Sequence, residues 1–137
     1  MRFEELEHTA DLSIRAYGRS LPDLFENSAL GMFSLIWHPT DAEELSHTAH
    51  VRLAPDEPAA LLRRFLAELL FVHEDRALLF ARFHVALPPC GPLECEAEGV
   101  PIAGHELRSH IKAVTFHRLQ VCQDDNGLWT ATLVFDT

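Results

Sequence analysis

Alternation of apolar and polar residues predicts two strands in the first seventeen positions. Residues 2–6 form a short extended segment, and residues 10–17 alternate without a break. In the second segment Leu12 and Ile14 share one face, while Asp11 lies on the other. Successive side chains of a strand point to opposite faces, so this segment is expected to bury one side against a core.

Two later segments repeat their apolar residues at the period of an amphipathic helix. The first is expected to run from Ser20, an N-cap residue, to about Trp37, with Pro22 in its first turn. The second opens at residues 56–58, and its apolar positions continue to Val72. Both helices are predicted to cover a sheet with their apolar stripes.

Further alternating segments predict the rest of the sheet, and the Asn-Gly pair in residues 124–127 predicts a hairpin turn. A change of apolar phase between Phe116 and Leu119 predicts a bulge, and residues 99–108 are expected to be irregular. The alternating segments are residues 45–53, 79–87, 93–98, 111–122 and 128–135. Six to eight strands and two helices predict an α+β fold, a two-layer sandwich with both helices on one face of a mixed or largely antiparallel sheet.

Length and composition favour one soluble globular domain over residues 1–137. The chain is 47% hydrophobic, yet no apolar run approaches the ~20 residues that cross a bilayer. Its first residues also lack the apolar segment of a signal peptide. We therefore expect a cytoplasmic protein that has no membrane partner.

The formal net charge of −10 bears on the choice of partners. Nucleic-acid binding draws mainly on Lys and Arg contacts to phosphate, and here Arg63-Arg64 is the only adjacent basic pair. Strong direct binding of RNA or DNA is not expected. An acidic chain with a role in nucleic-acid chemistry would act through a basic protein partner.

Three short segments with polar residues interrupt the apolar pattern, at residues 7–11, 111–117 and 135–137. Asp11 and Asp136 each lie on the polar side of their strand or at its end. Two carboxylates, a backbone carbonyl and water form an oxygen site suited to Ca²⁺ or Mg²⁺. The carboxylate of Thr137 is a further candidate ligand, and the alternative is that these aspartates are merely solvated.

Other polar residues could complete such a pocket. Lys112, the only lysine among 11 basic residues, could neutralise the carboxylates, hold a phosphate or form a plain surface ion pair. His8 and His117 could orient a carboxylate or serve a structural role. Glu68 lies at the edge of the second helix's apolar stripe, from which it could reach back over the sheet.

Zinc and disulfide frameworks are not expected. His47 and His50 lie three apart in a predicted strand and face opposite sides, so they cannot share one ion. Three cysteines at irregular positions do not form a disulfide pattern and are interpreted as mostly packed thiols.

The order and spacing of these motifs resemble the archease family over essentially the whole chain. The segments that carry the resemblance are residues 7–11 (EHTAD), 16–18 (AYG), 24–27 (LFEN), 65–71 (FLAELLF), 111–117 (IKAVTFH) and 135–137 (FDT).

The resemblance implies an accessory protein and not an enzyme. Archeases activate the GTP-dependent, RtcB-type RNA ligase that joins tRNA halves, by promoting guanylylation of the ligase and multiple turnover. The ligands implied for a divalent metal, Ca²⁺ with Mg²⁺ or Mn²⁺ as alternatives, are Asp11, Asp136 and the carbonyl of Thr137. Glu68 and Lys112 are expected beside them.

The chain also departs from the family pattern. Phe116 replaces the usual tyrosine, Thr137 stands where many relatives have isoleucine, and residues 105–110 are atypical. Two alternative functions stay open: a metal-dependent phosphohydrolase or nuclease that uses the same carboxylates, and a chaperone-like module that binds through an apolar groove.

Overall fold

The computed structural model describes residues 1–6, 12–115 and 119–137. These residues contain two α-helices and eight β-strands. In chain order the elements are β1 (Phe3–Leu6), β2 (Leu12–Gly18), α1 (Leu21–Ile36), β3 (His47–Leu53), α2 (Pro58–Arg76), β4 (Leu78–Ala86), β5 (Leu93–Pro101), β6 (Ala113–Val114), β7 (Val121–Gln123) and β8 (Trp129–Asp136).

The described strands form two antiparallel sheets. One sheet has the order β1-β2-β8-β6, with β7 also paired to β8, and the other has the order β3-β5-β4. The predicted α+β class, with two helices and antiparallel pairing, is confirmed. The sequence pattern did not predict the division into two sheets, because alternation identifies strands but not their neighbours.

Helix α1 begins and ends as its sequence predicts, to within one residue. The Ser20 hydroxyl accepts a hydrogen bond from the backbone N–H of Asp23 at 3.2 Å, which satisfies one of the unpaired donors of the first turn. Trp37 has already left the helical conformation. Its indole N–H donates to the carbonyl of Phe80 at 3.0 Å and fixes the end of α1 to β4.

Helix α1 also holds both sheets through hydrogen bonds from its side chains to strand backbones. The Asn27 amide donates to the carbonyl of Tyr17 in β2 at 2.7 Å. The Glu26 carboxylate accepts from the backbone N–H of Val85 in β4 at 2.8 Å. The two sheets are therefore positioned against one helix, whose buried face supplies much of the core.

An aromatic group joins the two helices to β4. The ring of Phe33 in α1 lies 5.5 Å from that of Phe80, 5.6 Å from that of Phe83 and 5.6 Å from the imidazole of His73 in α2. The contacts with Phe80 and His73 are edge-to-face, and such contacts stabilise a core beyond the area they bury. His73 is buried and donates from Nδ1 to the carbonyl of Leu78, which lies just beyond the left-handed residue Ala77 that ends α2.

No helix in residues 1–6, 12–115 and 119–137 combines the length and apolar character that crossing a membrane requires.

The longest predicted strand is broken. Of residues 111–122, only 113–114 and 121–122 are assigned to strands within the described part of the chain. Ile111 and Val114 are both buried, and a spacing of three cannot be met by regular alternation. The bulge predicted after Phe116 lies outside the described residues. Residues 99–101, expected to be irregular, instead continue β5.

The hairpin predicted at Asn126-Gly127 joins β7 to β8. Gly127 takes a left-handed conformation (φ +85°), and the Asp124 carboxylate accepts from the N–H groups of Asn126 and Leu128, each at 2.9 Å. The asparagine-glycine turn is thus closed by hydrogen bonds to the Asp124 side chain as well as by hydrogen bonds between backbone groups.

The expectation that the cysteines are mostly packed is wrong, since Cys90 and Cys122 are exposed. Only Cys95 is buried, on the inner face of β5, and burial raises the pKa of its thiol to about 12. Cys95 lies in the predicted alternating segment 93–98, whereas Cys122 is exposed although it ends the predicted segment 111–122.

Gly99 allows β5 to approach β4 at a break in their register. The pairing shifts between Phe80 and Arg82, and a Cβ atom on Gly99 would lie 2.0 Å from the carbonyl oxygen of Leu79. Neither backbone can move aside easily, because both strands are paired and buried.

We expect Gly99→Ala to lower the free energy of unfolding by about 3 kcal/mol through this backbone clash. Gly104→Ala is the matched control, because it has left-handed φ (+82°) and nothing within 4 Å of an added Cβ. That change should cost ~1 kcal/mol of conformational strain only. Urea unfolding of both variants would measure the difference, and equal losses would contradict the close approach.

Candidate functional site

The end of β8 gathers the residues on which the candidate site is built. Leu12 at the start of β2 pairs with Phe135 on one side of β8, and Val114 of β6 pairs with the same residue on the other. Asp136 follows directly, pairs with Ala113 and is exposed. The sheet therefore presents the Asp136 carboxylate to solvent at the end of β8, beside β6.

Lys112 lies beside Asp136. Its backbone N–H donates to the Asp136 carbonyl at 2.8 Å, and its side chain is exposed. The lysine also lines a groove of about 250 Å³ between β6 and α2, where Phe71 and Glu74 form part of the opposite wall. An ammonium group at this place can pair with carboxylates on either side, or with an anion that a partner brings.

Glu74, and not Glu68, is the glutamate of α2 that lines this groove. Glu68 is half-buried and is absent from the described residues that form the groove wall. The wall of α2 consists of Arg63, Ala67, Leu70, Phe71 and Glu74. These positions repeat at three and four residues, as one helix face does, and that period was the signal in the sequence that could have pointed to Glu74.

Asp11, His8 and His117 lie outside the described residues. The described part of β2 starts at Leu12, so the expectation that Asp11 meets Asp136 stays a prediction. Of the predicted site, the structure places Lys112, Asp136 and Thr137 at one end of the sheet.

The donor atoms at this end suit a hard cation. Asp136 and Thr137 are exposed and offer oxygen ligands, which Ca²⁺, Mg²⁺ and Mn²⁺ prefer. The Asp136 carbonyl already accepts from Lys112, which leaves its carboxylate and the oxygens of Thr137. Within residues 1–6, 12–115 and 119–137, no three His, Cys, Asp or Glu side chains are grouped as a metal site. The described residues thus fit as part of a ligand set and need a further donor.

The segment before Lys112 is held by both helices. The Ile102 N–H donates to the carbonyl of Ala77 at 2.9 Å, just after α2. The Arg108 N–H donates to the carbonyl of Ile36 at 2.7 Å, and its guanidinium donates to that of Ser34 at the end of α1. These contacts fix the path of the chain into β6, and so the position of Lys112.

Two histidines in the atypical segment bind carboxylates of neighbouring elements. His105 donates from Nε2 to Glu43 at 3.1 Å and packs edge-on against Trp37, with ring centroids 5.5 Å apart. His110 lies 3.3 Å from Glu74, the residue that lines the Lys112 groove. Residues 105–110 therefore make structural contacts in this chain.

The fold and this strand end define a small α+β protein with the exposed side chains of Lys112, Asp136 and Thr137 at one end of a sheet. The chain belongs to the archease family. The family model described as "Archease protein family (MTH1598/TM1083)" matches residues 3–137.

Similar proteins extend over nearly the full length. The protein archease of Methanothermobacter thermautotrophicus is 36% identical over 138 residues, covering 98% of this chain and 97% of that protein. The protein archease of Pyrococcus abyssi is 34% identical over 140 residues and covers 98% of both.

Two solved structures have the same fold. The solution structure of protein 1598 from Methanobacterium thermoautotrophicum superposes with a TM-score of 0.83 at 34% identity and covers 98% of both chains. The crystal structure of an archease from Thermotoga maritima, described as a possible chaperone, gives a TM-score of 0.67 at 20% identity. It covers 100% of this chain and 98% of that one, and at this identity it supports the fold alone.

Acidic Glu43 should make the segment before Lys112 sensitive to pH. The hydrogen bond that His105 donates to Glu43, together with the negative charge of Glu43, raises the pKa of His105 above the ordinary histidine value near 6.5. Because the pKa of His105 is raised in the folded state, the His105–Glu43 pair stabilises the protein fully at a pH below the unfolded-state pKa. This contribution to stability is lost as the pH rises through the folded-state pKa.

We expect Glu43→Gln to lower the pKa of His105, as followed by an NMR titration of its ring. The variant should also lose more stability relative to wild type at pH 6 than at pH 8.5. Glu44→Gln, at the exposed neighbouring position, is the matched control and should leave the titration of His105 unchanged. An unchanged His105 pKa in Glu43→Gln would contradict the role of this pair.

Proposed function

We propose that this chain is a non-enzymatic activator of a GTP-dependent, RtcB-type RNA ligase. The observation that carries the proposal is the backbone hydrogen bond that joins Lys112 to Asp136, whose side chain is exposed at the end of β8, in a chain of the archease family. The chain would present this sheet end to the ligase and promote its guanylylation and multiple turnover.

A divalent metal, Ca²⁺ or alternatively Mg²⁺ or Mn²⁺, is part of the proposal. Asp11, Asp136 and an oxygen of Thr137 would hold it, and Lys112 would balance the negative charge next to them. A bound divalent cation supplies positive charge that neutralises phosphate oxygens. Of these ligands, Asp136 and Thr137 lie at the end of β8, a strand that pairs with β2 on one side and with β6 on the other.

The net charge of this chain supports separate roles for the two proteins, with RNA bound by the ligase. The net charge of −10 makes this chain a poor carrier of RNA, so the ligase would bind the nucleic acid. Opposite charges on two proteins speed their encounter and orient it. The proposal therefore needs an interface with the ligase and no RNA site on this chain.

The test is multiple-turnover RNA ligation by an RtcB-type ligase at saturating GTP. Asp136→Asn should reduce the stimulated turnover by about tenfold or more, which corresponds to ~1.4 kcal/mol of lost interaction. Asp11→Ala should act in the same way. Asp125→Asn is the matched control, because it changes an exposed aspartate in the β7–β8 turn, and it should stimulate like wild type.

Urea unfolding should give wild-type stability for Asp136→Asn, since its side chain is exposed. A folded Asp136→Asn variant that stimulates fully would remove the strand end from the mechanism.

A stand-alone phosphohydrolase or nuclease is the alternative function for the same carboxylates. The purified chain should hydrolyse neither phosphodiesters nor nucleotides with Mg²⁺, Mn²⁺ or Ca²⁺, because the residues that the structure describes group no general base with Asp136 to activate water. Steady turnover that Asp136→Asn abolishes would favour the enzyme.

A chaperone-like binding module would instead need a broad apolar surface. Among the described residues, the exposed large apolar side chains are Met1, Phe71 and Leu107, from three separate parts of the chain. Three such side chains are within the ordinary exposure of a soluble protein and do not favour this function.

A further inference from the structure

The outer face of the three-stranded sheet places a carboxylate between two imidazoles. In the register of this sheet, Glu96 of β5 pairs with His50 of β3 on one side and with His84 of β4 on the other. All three residues are exposed. The strands thus line up a row His50–Glu96–His84 across the sheet, although these residues are far apart in sequence.

The rows on either side have a different chemistry. Arg52 lies opposite Glu94, with their side chains 3.8 Å apart, and Arg82 lies opposite Glu98, with theirs 3.1 Å apart. Arginine therefore balances the outer two glutamates of β5. Glu96 instead has an imidazole in both of the corresponding positions, and imidazole is a common metal ligand.

The row borders an open concavity of about 490 Å³. Its lining includes His50, His84, Glu94 and Glu96, and the small side chain of Ala86 opposite Glu94 leaves space at one edge. Polar groups therefore surround a recess large enough for a hydrated ion.

The spacing of the strands allows the three side chains to meet one ion. Two strand spacings, about 9.6 Å, separate the backbones of His50 and His84, with Glu96 midway. Imidazoles that lean inward from both sides can bind an ion above Glu96 at the ~2.1 Å distance usual for zinc and nitrogen.

These side chains are not converged in the structure. In the described ranges no three potential ligands are already grouped, and His84 Nε2 points toward Glu98 at 3.5 Å. Exposed side chains exchange rotamers within nanoseconds, so this arrangement does not prevent binding.

We propose that His50, Glu96 and His84 bind Zn²⁺. Two imidazoles and one carboxylate suit a borderline cation and leave a fourth position for water or for a side chain of a partner. The site would differ from the Asp136 end of the other sheet in both its donors and its metal, because that end offers oxygen ligands for hard cations.

The test is calorimetric titration of the purified chain with Zn²⁺ in the presence of excess Ca²⁺. We expect one Zn²⁺ bound per chain, and an affinity at least about tenfold lower in Glu96→Gln and in His84→Gln, the change that loss of a ligand group brings. Co²⁺ bound in place of Zn²⁺ should give the visible absorption of a tetrahedral site, and these variants should lose it.

Two controls separate this site from other histidines and from the proposed function. His38→Gln changes an exposed histidine outside the sheet and should bind Zn²⁺ like wild type. Asp136→Asn should also keep its Zn²⁺ affinity, whatever happens to ligase stimulation. Unchanged Zn²⁺ affinity in both row variants, or no uptake below millimolar Zn²⁺, would overturn the proposal.

Discussion

The register of β8 against β2 is the constraint on which the rest of the molecule depends. Seven consecutive pairs, from Gly18 opposite Trp129 to Leu12 opposite Phe135, run without a shift. A slip of one residue would turn every side chain of β8 to the other face, burying Asp136 and exposing Phe135. The same ladder that builds the core therefore decides which polar groups stand at the end of the sheet.

Helix α1 connects the sheet that contains β2 and β8 to the second sheet. It contacts strands of both sheets, and its buried face includes Phe25, Phe33 and Met32. Gly31 lets the helix come close to β2, since a Cβ there would lie 2.4 Å from the Ile14 side chain. Because one helix holds both sheets, the end of β8 and the histidine row are parts of a single packed unit. Each can nevertheless act through its own exposed residues.

Local rules predicted what depends on neighbours in sequence, including both helices, the Ser20 cap and the turn at Asn126-Gly127. Partners distant in sequence were harder to predict. Alternation does not say which strand lies beside which, so the two sheets and the position of His84 beside Glu96 came only from the structure. The order of the motifs predicted Lys112 and Asp136 as residues of one site. Glu74 is in no such motif, and the periodicity of α2 places it in the groove.

Burial of Cys95 has a consequence for handling the protein. A thiol with a pKa of about 12 has almost no thiolate at neutral pH, and its sulfur lies beneath β5. An alkylating reagent would therefore modify Cys90 and Cys122 in the native chain and reach the third sulfur only when the small sheet opens. The rate at which Cys95 gains the mass of the reagent would therefore report how often this sheet opens.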